Sequence, residues 1–148
     1  MELQFVTAKS ADFRALAAML DAYYFELVGD IQLRYAEPNR PENMDALAVV
    51  YENGIPIACG AWKAVDRQTA ELKRIYVLPE HRRRGVASRM IQQLESHAAF
   101  HGYRQMILET ATTTLDSQRL YLDLGYRRVA YYGSPAGAEN CLCFIKEL

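Results

Sequence analysis

The chain has 148 residues, with 17 lysines and arginines against 18 aspartates and glutamates. This length is typical of one domain with its own hydrophobic core, so we predict a single domain over residues 1–148. The nearly balanced charge argues against nucleic acid or an anionic membrane as a partner. No apolar run reaches the roughly 18 residues of a membrane span, the start does not resemble a signal peptide, and the few cysteines fit a reducing compartment. We therefore expect a cytoplasmic protein.

The first part of the chain predicts a strand, a helix and a loop. Residues 2–7 are expected to form a short strand, and Ser10 is a candidate N-cap for a helix over about 10–27, whose apolar residues recur at helical spacing. Over residues 29–42 this periodicity is lost, and two prolines interrupt the segment. Because loops of this length in a compact domain are often functional, we expect a functional loop here, with room for a short second helix.

Three consecutive strands are predicted next. Residues 45–52 and 55–65 are joined by Asn53-Gly54, the strongest short signal for a β-hairpin. A further strand is expected over 69–77, and its apolar alternation slips by one residue near Lys73-Arg74. The slip has two interpretations of about equal weight, a β-bulge or a strand buried on both faces.

In the second half, helices and strands alternate. We predict a helix over about 85–101 ended by Gly102, a strand over about 104–110, a helix over 115–124 ended by Gly125, and strands over 126–132 and 140–147. The complete order is βα-βββ-αβαββ. It predicts one α/β domain with a mixed sheet.

The segment between the strand of 69–77 and the following helix predicts an anion site. The strand stops at Pro79, three arginines over residues 82–84 lead into Gly85, and the helix begins almost at once. Positive side chains and unpaired helix N–H groups together favour a phosphate, and glycine allows the backbone to approach a ligand closely. The spacings of a P-loop and of a dinucleotide fingerprint are absent. Three arginines taken alone are more often a solvated charged surface, and it is the glycine and the helix start that favour an anion site.

Residues 82–87, Arg-Arg-Arg-Gly-Val-Ala, resemble the Gln/Arg-x-x-Gly-x-Gly/Ala motif of the GNAT superfamily of acyl-CoA-dependent N-acetyltransferases. Residues 72–80 and 120–126 are similar to that family too, and the order of elements agrees over essentially the whole chain. The resemblance implies one N-acetyltransferase domain of α/β (α+β) class. Its mixed, mostly antiparallel sheet would have about six or seven strands flanked by helices, splayed between the fourth and fifth strands.

The resemblance also implies acetyl-CoA as cosubstrate, with no metal. Backbone groups at the end of the strand of 69–77 would bind the pantetheine arm, and the N–H groups near the start of the next helix would bind the diphosphate. The residues implied in cofactor binding are Ile75, Tyr76, Val77, Arg82, Arg83, Arg84, Gly85, Val86, Ala87, Ser88, Thr114, Ser117 and Tyr121. Thr114 and Ser117 depart from the family pattern, in which asparagine and alanine are common, so the contacts of that helix with CoA stay open.

Two residues are candidates for the chemistry. In the family pattern Tyr121 is the general acid that protonates the departing thiolate, although a tyrosine on such a helix is often only a packing residue. Glu71 is a candidate base that would take a proton from the amine through water, or else a surface residue paired with Lys73 or an arginine. Glu109 or Tyr132 would be substitutes. The implied reaction is direct attack of a primary amine on acetyl-CoA in a ternary complex; the alternative is a non-catalytic acetyl-CoA-binding regulatory module.

The acceptor, a small molecule or an amino-acid-like amine, is expected to bind between residues 24–43 and 131–138. The candidate acceptor residues are Tyr24, Arg34, Tyr35, Glu109 and Tyr132, and Arg34 and Arg40 are candidates for holding a carboxylate. A homodimer is left open.

The histidines and cysteines are not expected to carry chemistry. His97 and His101 have metal-compatible spacing on a helix, but without a carboxylate partner in the pattern they are expected to face solvent. Cys59, Cys141 and Cys143 are expected as buried strand residues, so a covalent acyl-enzyme is disfavoured.

Overall fold

The computed structural model describes residues 1–133 and 140–148, with the side chains of Ile31 and Arg34 excepted. Seven strands form one sheet in the order β1-β2-β3-β4-β5-β7-β6, and every neighbouring pair is antiparallel except β4 and β5. The strands are β1 (Glu2–Val6), β2 (Ala46–Glu52), β3 (Ile55–Ala64), β4 (Thr69–Val77), β5 (Gln105–Ala111), β6 (Arg127–Val129) and β7 (Cys141–Glu147). The fold class predicted from the sequence is confirmed.

Three helices cover the two faces of the sheet. They are α1 (Ala11–Val28), α2 (Val86–Phe100) and α3 (Leu115–Asp123), with short 3-10 helices at Gly29–Tyr35, Pro41–Asn43 and Pro79–His81. The loop predicted over 29–42 therefore contains two of these short helices. The hydroxyl of Ser10 accepts a hydrogen bond from the Phe13 N–H at 3.1 Å, which caps α1 as expected.

Each face of the sheet has its own core. On one face α1 buries Phe13, Leu16 and Leu20, each less than 5% exposed, and on the other α2 buries residues that include Ile91 and Leu94 completely. Burying a side chain of this size stabilises the folded state by about 1.5–3 kcal/mol. The sheet is therefore held rigidly from both sides.

β4 contains a β-bulge at Arg74. Cys59 of β3 is opposite Tyr76, and Ala61 is opposite Lys73, so β4 has one residue more than β3 over this stretch. Arg74 takes the left-handed conformation with φ of 60°. As a result Lys73 and Arg74 both point away from α2, and the alternation resumes in the opposite phase. The bulge interpretation of the sequence is confirmed.

β4 and β5 are paired only at their beginnings. The parallel register joins Thr69–Glu71 to Gln105–Ile107 and then stops, so the two strands part beyond Glu71 and Ile107. The predicted splay is thus present, and it leaves a cleft between the strand ends.

β6 is shorter than predicted, with three residues instead of the span 126–132. It pairs with β7 only from Arg127 to Val129. The chain then leaves the sheet edge, because the next two tyrosines turn toward carboxylates on β4 and β5. Tyr132 donates to Glu71 at 3.4 Å, and Tyr131 donates to Glu109 at 3.2 Å.

Candidate active site

The cleft between β4 and β5 brings together residues that are far apart in the sequence. It is covered by the C-terminal half of α1 and by the 3-10 helix that follows. Six of the residues predicted to bind the cofactor or acceptor or to take part in the chemistry line it: Tyr24, Tyr35, Glu71, Ile75, Glu109 and Tyr121. These residues come from five elements, and only the parting of the two strands makes them neighbours.

Tyr121 enters the cleft from α3. Its side chain is buried, with 7% exposure, and its ring packs against Tyr126 and Phe144 at centroid distances of 5.8 and 6.3 Å. Burial, and to a smaller extent the neighbouring Tyr24, raise the pKa of the Tyr121 phenol. Among the residues that the structure describes, no group forms a hydrogen bond with this hydroxyl. It is therefore a neutral donor without a partner, in contact with the cleft.

Glu71 lies at the point where the strands part. Its side chain is 14% exposed, its Oε1 is 3.9 Å from Nζ of Lys73, and its Oε2 accepts from the Tyr132 hydroxyl. Burial lowers the pKa of the Lys73 ammonium, while Glu71 acts in the opposite direction. The two interpretations of Glu71 are therefore compatible, since it lines the cleft and also has Lys73 as its partner.

Glu109 lies on β5 beyond the last residue that pairs with β4. Its Oε1 accepts hydrogen bonds from the hydroxyls of Tyr35 at 3.0 Å and Tyr131 at 3.2 Å. Burial, followed by the charge of Glu109, raises the pKa of the Tyr35 phenol. The two segments predicted to hold the acceptor thus meet at this carboxylate.

Residues 82–88, which we call the anion loop, comprise the segment that precedes α2 and the first three residues of that helix. Gly85 has φ of 77°, a conformation that favours glycine, and no side chain caps the helix that begins at Val86. The first turn of α2 carries no acidic residue. The backbone N–H groups of Val86, Ala87 and Ser88 are therefore in the position in which helices bind phosphate.

The three arginines of the anion loop differ in their partners. Nε of Arg82 donates to the carbonyl of Val77 at 2.8 Å, and Arg84 donates to Glu52 at 2.8 Å. Arg83 has a side chain that is 90% exposed, with Asp116, itself almost fully exposed, at 3.9 Å. An ion pair of this kind contributes little, so the Arg83 guanidinium is the one most available to a ligand.

Thr114 and Ser117 lie at the start of α3, outside the cleft lining. Thr114 is 9% exposed, and its hydroxyl donates to the Ala111 carbonyl at 2.8 Å. Gln118, which the sequence did not indicate, donates to the carbonyls of Ala111 and Thr112 at 3.2 and 2.9 Å. These bonds join α3 to the end of β5 and so hold Tyr121 in its place.

The predicted carboxylate site of two arginines is not formed by Arg40. Its guanidinium is on the surface and lies 3.3 Å from Glu37 and 3.5 Å from Glu42, so its charge is already paired. The side chain of Arg34, and residues 134–138 of the predicted acceptor segment, lie outside the described residues.

The prediction that both helix histidines face solvent is wrong for His97. This ring stacks on Phe5 at 4.2 Å, and its Nδ1 accepts from Nε1 of Trp62 at 3.2 Å. His101 is exposed. The sequence could not show this, because Phe5 and Trp62 come from β1 and β3. The amphipathic pattern of α2 does not indicate which residues of other elements contact the helix.

The cysteines are poor nucleophiles in this fold. Cys59 and Cys143 are buried and Cys141 is half-buried. Burial raises the pKa of the Cys59 thiol to about 12, and burial together with Glu109 does the same for Cys141. In the described part of the chain, no three His, Cys, Asp or Glu side chains lie close enough together to hold a metal ion. Nor does any described helix combine the length and apolar composition that a membrane crossing requires.

Comparison with known proteins identifies the family. Residues 13–126 match the model of the acetyltransferase (GNAT) family. The chain belongs to this family. It is an acyltransferase, as the resemblance of the anion loop and of α3 predicted.

The relatives are distant in sequence and close in fold. An uncharacterised acetyltransferase of Streptococcus pyogenes is 28% identical over 109 residues, which cover 72% of this chain and 70% of that protein. A Klebsiella pneumoniae protein assigned as an acyl-CoA N-acyltransferase superposes with a TM-score of 0.83 at 22% identity, over 99% of this chain and 97% of the other. A GNAT family acetyltransferase of Elizabethkingia anophelis, solved with acetyl-CoA bound, has a TM-score of 0.74 at 17% identity, with coverage of 99% and 97%. At these identities the two structures establish the fold alone.

Arg74 is a cleft residue that the sequence reasoning did not select. Its side chain is 4% exposed and donates to the Ala17 carbonyl at 2.8 Å and to Asp21 at 2.7 Å, which ties the bulge to α1. Its Nε is buried and has no hydrogen-bond partner among the described residues. The phase slip at Lys73-Arg74 was the available signal, since both residues of a bulge point to the same face.

Proposed function

We propose that the protein transfers the acetyl group of acetyl-CoA to a primary amine of a small-molecule or amino-acid-like acceptor, by direct attack in a ternary complex. The observation that carries this proposal is the buried Tyr121 side chain, whose hydroxyl has no partner among the described residues and which lines the cleft that also contains Glu71. In this proposal residues 1–148 act as one N-acetyltransferase domain in the cytoplasm, without nucleic acid or membrane.

The cosubstrate would lie along the open edge of β4. After Glu71 this strand has no pairing with β5, so the backbone near Ile75, Tyr76 and Val77 is available to the amides of a pantetheine arm. The uncapped start of α2 is suited to the diphosphate, with Arg83 as the accessible counter-charge. Arg82 and Arg84 would act mainly by fixing the shape of the anion loop, since each already has a partner.

Glu71 would act as the base. An ammonium group must lose a proton before its nitrogen can attack, and Glu71 would accept that proton directly or through one water. The attacking nitrogen forms a bond to the acetyl carbon, and the bond from that carbon to sulfur breaks. The hydroxyl of Tyr132 donates to Glu71 at 3.4 Å and would orient the Glu71 carboxylate.

Tyr121 would act on the leaving group. With its pKa raised by burial, the phenol stays protonated at any physiological pH and donates a hydrogen bond to the thiolate. A thiol has a pKa of about 8.5, below that of a phenol, so stabilisation of the thiolate by this hydrogen bond contributes alongside full proton transfer. The raised thiol pKa of Cys59 and Cys141 favours direct transfer over an acyl-enzyme.

Two measurements test the proposal. Acetyl-CoA should raise the melting temperature, because a ligand at 100 times its Kd adds about 2.7 kcal/mol to the free energy of unfolding. A panel of primary amines should then be screened for release of free CoA thiol from acetyl-CoA by the purified protein. The absence of a melting-temperature shift at millimolar acetyl-CoA would contradict the cosubstrate assignment, and release that no amine stimulates would contradict amine transfer.

A further inference from the structure

Four charged side chains line the cleft: Glu71, Lys73, Arg74 and Glu109. Lys73 lies 3.9 Å from Glu71, and Arg74 forms its ion pair with Asp21 at 2.7 Å. Glu109 also lines the cleft, and no lysine, arginine or histidine among the described side chains lies within 4.0 Å of its oxygens. Among the described side chains, Glu109 is thus the charged cleft residue without an ion-pair partner, although Lys73 attracts it at longer range.

Neutral donors hold this charge in place. The hydroxyls of Tyr35 and Tyr131 both donate to Oε1 of Glu109. Such hydrogen bonds orient a half-buried carboxylate, but they do not neutralise it, and a charge that is withdrawn from water without an opposite charge is costly. A carboxylate that is fixed by donors and left unpaired in a substrate cleft is complementary to a cation on the ligand.

Glu109 lies on the same side of the sheet as Glu71. Glu71 is in register with Ile107, and Glu109 follows two residues later, so its side chain points to the same face. Paired strands lie about 4.8 Å apart with a rise of about 3.3 Å per residue, and the strands part beyond Glu71, so the two Cα atoms are at least about 8 Å apart. The two carboxylates thus line one cleft from two different strands, with room for an acceptor between them.

A second observation indicates a polar ligand in this space. The Tyr121 residue is more than nine-tenths buried and lines the same cleft, and its hydroxyl has no hydrogen-bond partner among the described residues. A hydroxyl that faces a cleft and has no partner in the described protein can donate to, or accept from, a polar group of a ligand.

We propose that Glu109 determines acceptor specificity by binding a second cationic group, so that the enzyme acetylates diamines in preference to monoamines. Glu71 then faces the reacting nitrogen, and Glu109 holds the ammonium at the far end of the acceptor. This inference rests on the proposed function, since it concerns the acceptor of that same reaction.

A zwitterionic acceptor is the competing interpretation. Arg74 has a buried Nε without a partner among the described residues, and Lys73 lines the same cleft. Together they would favour a carboxylate at the far end of the acceptor. The ion pairs oppose this, because Lys73 lies 3.9 Å from Glu71 and Arg74 is bound to Asp21.

Three acceptors with the same four-carbon chain separate these possibilities: butylamine, 1,4-diaminobutane and 4-aminobutyrate. With acetyl-CoA saturating, kcat/KM should be at least about tenfold higher for 1,4-diaminobutane than for butylamine, and lowest for 4-aminobutyrate. An ion pair in a partly buried site contributes at least about 1.4 kcal/mol, which corresponds to a factor of ten. Glu109→Gln keeps an oxygen that accepts from the tyrosines and removes the charge. In this variant the ratio of diamine to monoamine should fall to about 1.

Glu26→Gln makes the same chemical change on the exposed surface of α1 and should keep the wild-type ratio. A wild-type ratio near 1, a preference for 4-aminobutyrate, or an unchanged ratio in Glu109→Gln would each overturn the inference.

Binding provides a second readout that does not need turnover. In the presence of CoA, 1,4-diaminobutane should raise the melting temperature of the wild-type protein and of Glu26→Gln, but not that of Glu109→Gln. If the diamine stabilises none of the three proteins, the inference is wrong. If the broad amine panel gives turnover without a preference for diamines, the proposed function stands and only the role of Glu109 is lost; if no amine gives turnover, the proposed function itself fails.

Discussion

The anion loop and the cleft are built in opposite ways. The anion loop is one continuous stretch, and its main feature is backbone: a glycine with φ of 77° and the free N–H groups of a helix start. The cleft is assembled from side chains on α1, the following 3-10 helix, β4, β5 and α3. We therefore expect the loop to tolerate the loss of a single side chain, and the cleft to depend on individual side chains.

The largest effect is expected for Tyr121→Phe in the cleft. Removing a general acid lowers turnover by about 10²- to 10⁴-fold, and because the anion loop is untouched, the Kd for acetyl-CoA should change by no more than about threefold. The melting temperature should not fall, since the lost hydroxyl has no hydrogen-bond partner among the described residues. Turnover within a few fold of the wild type would refute the role of Tyr121.

Tyr126→Phe is the matched control for this substitution. The Tyr126 hydroxyl donates to the buried Glu95 at 2.8 Å, outside the cleft. Its loss should lower the free energy of unfolding by about 1–3 kcal/mol, because the buried Glu95 loses one of its two side-chain donors and keeps only Lys146, while turnover of the folded enzyme stays close to normal. The two variants should thus show opposite patterns of stability and activity.

Gly85→Leu should be the most damaging single change in the anion loop. Leucine disfavours the left-handed conformation by about 1–2 kcal/mol, so the loop backbone would move and the Kd for acetyl-CoA should rise tenfold or more. Gly54 has an almost identical φ of 78°, and like Gly85 it has no heavy atom within 4 Å of an added Cβ. Gly54→Leu should therefore cost similar stability and leave the Kd unchanged, whereas equal losses of binding in both variants would show that the loop is misassigned.

Arg83→Ala should have a smaller effect on the same loop. An exposed guanidinium that faces a diphosphate contributes about 1 kcal/mol, so the Kd for acetyl-CoA should rise by about three- to tenfold at low salt. Because exposed charges are screened, the difference from the wild type should shrink at 0.5 M salt. An effect as large as that of Gly85→Leu would contradict the view that backbone dominates this site.

The smallest effect is expected from His97, which belongs to neither region and serves as a reference. Burial, followed by the nearby His101, lowers the pKa of His97. The unfolded chain then binds more protons than the folded one, so the free energy of unfolding should fall as the pH drops below about 6.5.

Urea denaturation between pH 5 and pH 8 should show this decline, and His97→Gln, whose amide oxygen still accepts from Trp62, should reduce it. An identical pH dependence in both proteins would refute the assignment, and the Kd for acetyl-CoA should not differ between them.

Much of the fold was predictable because its signals are local. Asn53-Gly54 marked the β2–β3 hairpin, and both residues have the positive φ values, 52° and 78°, that such a turn requires. The phase slip at Lys73-Arg74 indicated the bulge, although the sequence left a doubly buried strand as an alternative. The shortness of β6 was not predictable, because it results from contacts of Tyr131 and Tyr132 with carboxylates on β4 and β5.

The same division holds for the candidate site. The sequence by itself determined the order of elements and the family, since both depend on residues that are neighbours in the chain, and it also predicted that residues 82–88 bind an anion. Only the tertiary structure decided that Arg82 and Arg84 have partners while Arg83 is exposed, because those partners lie on β4 and β2. Only the tertiary structure brought Tyr35 to Glu109, which is 74 residues away in the chain. The parting of β4 and β5 places both residues in one cleft, and a contact between such distant residues leaves no local pattern in the sequence.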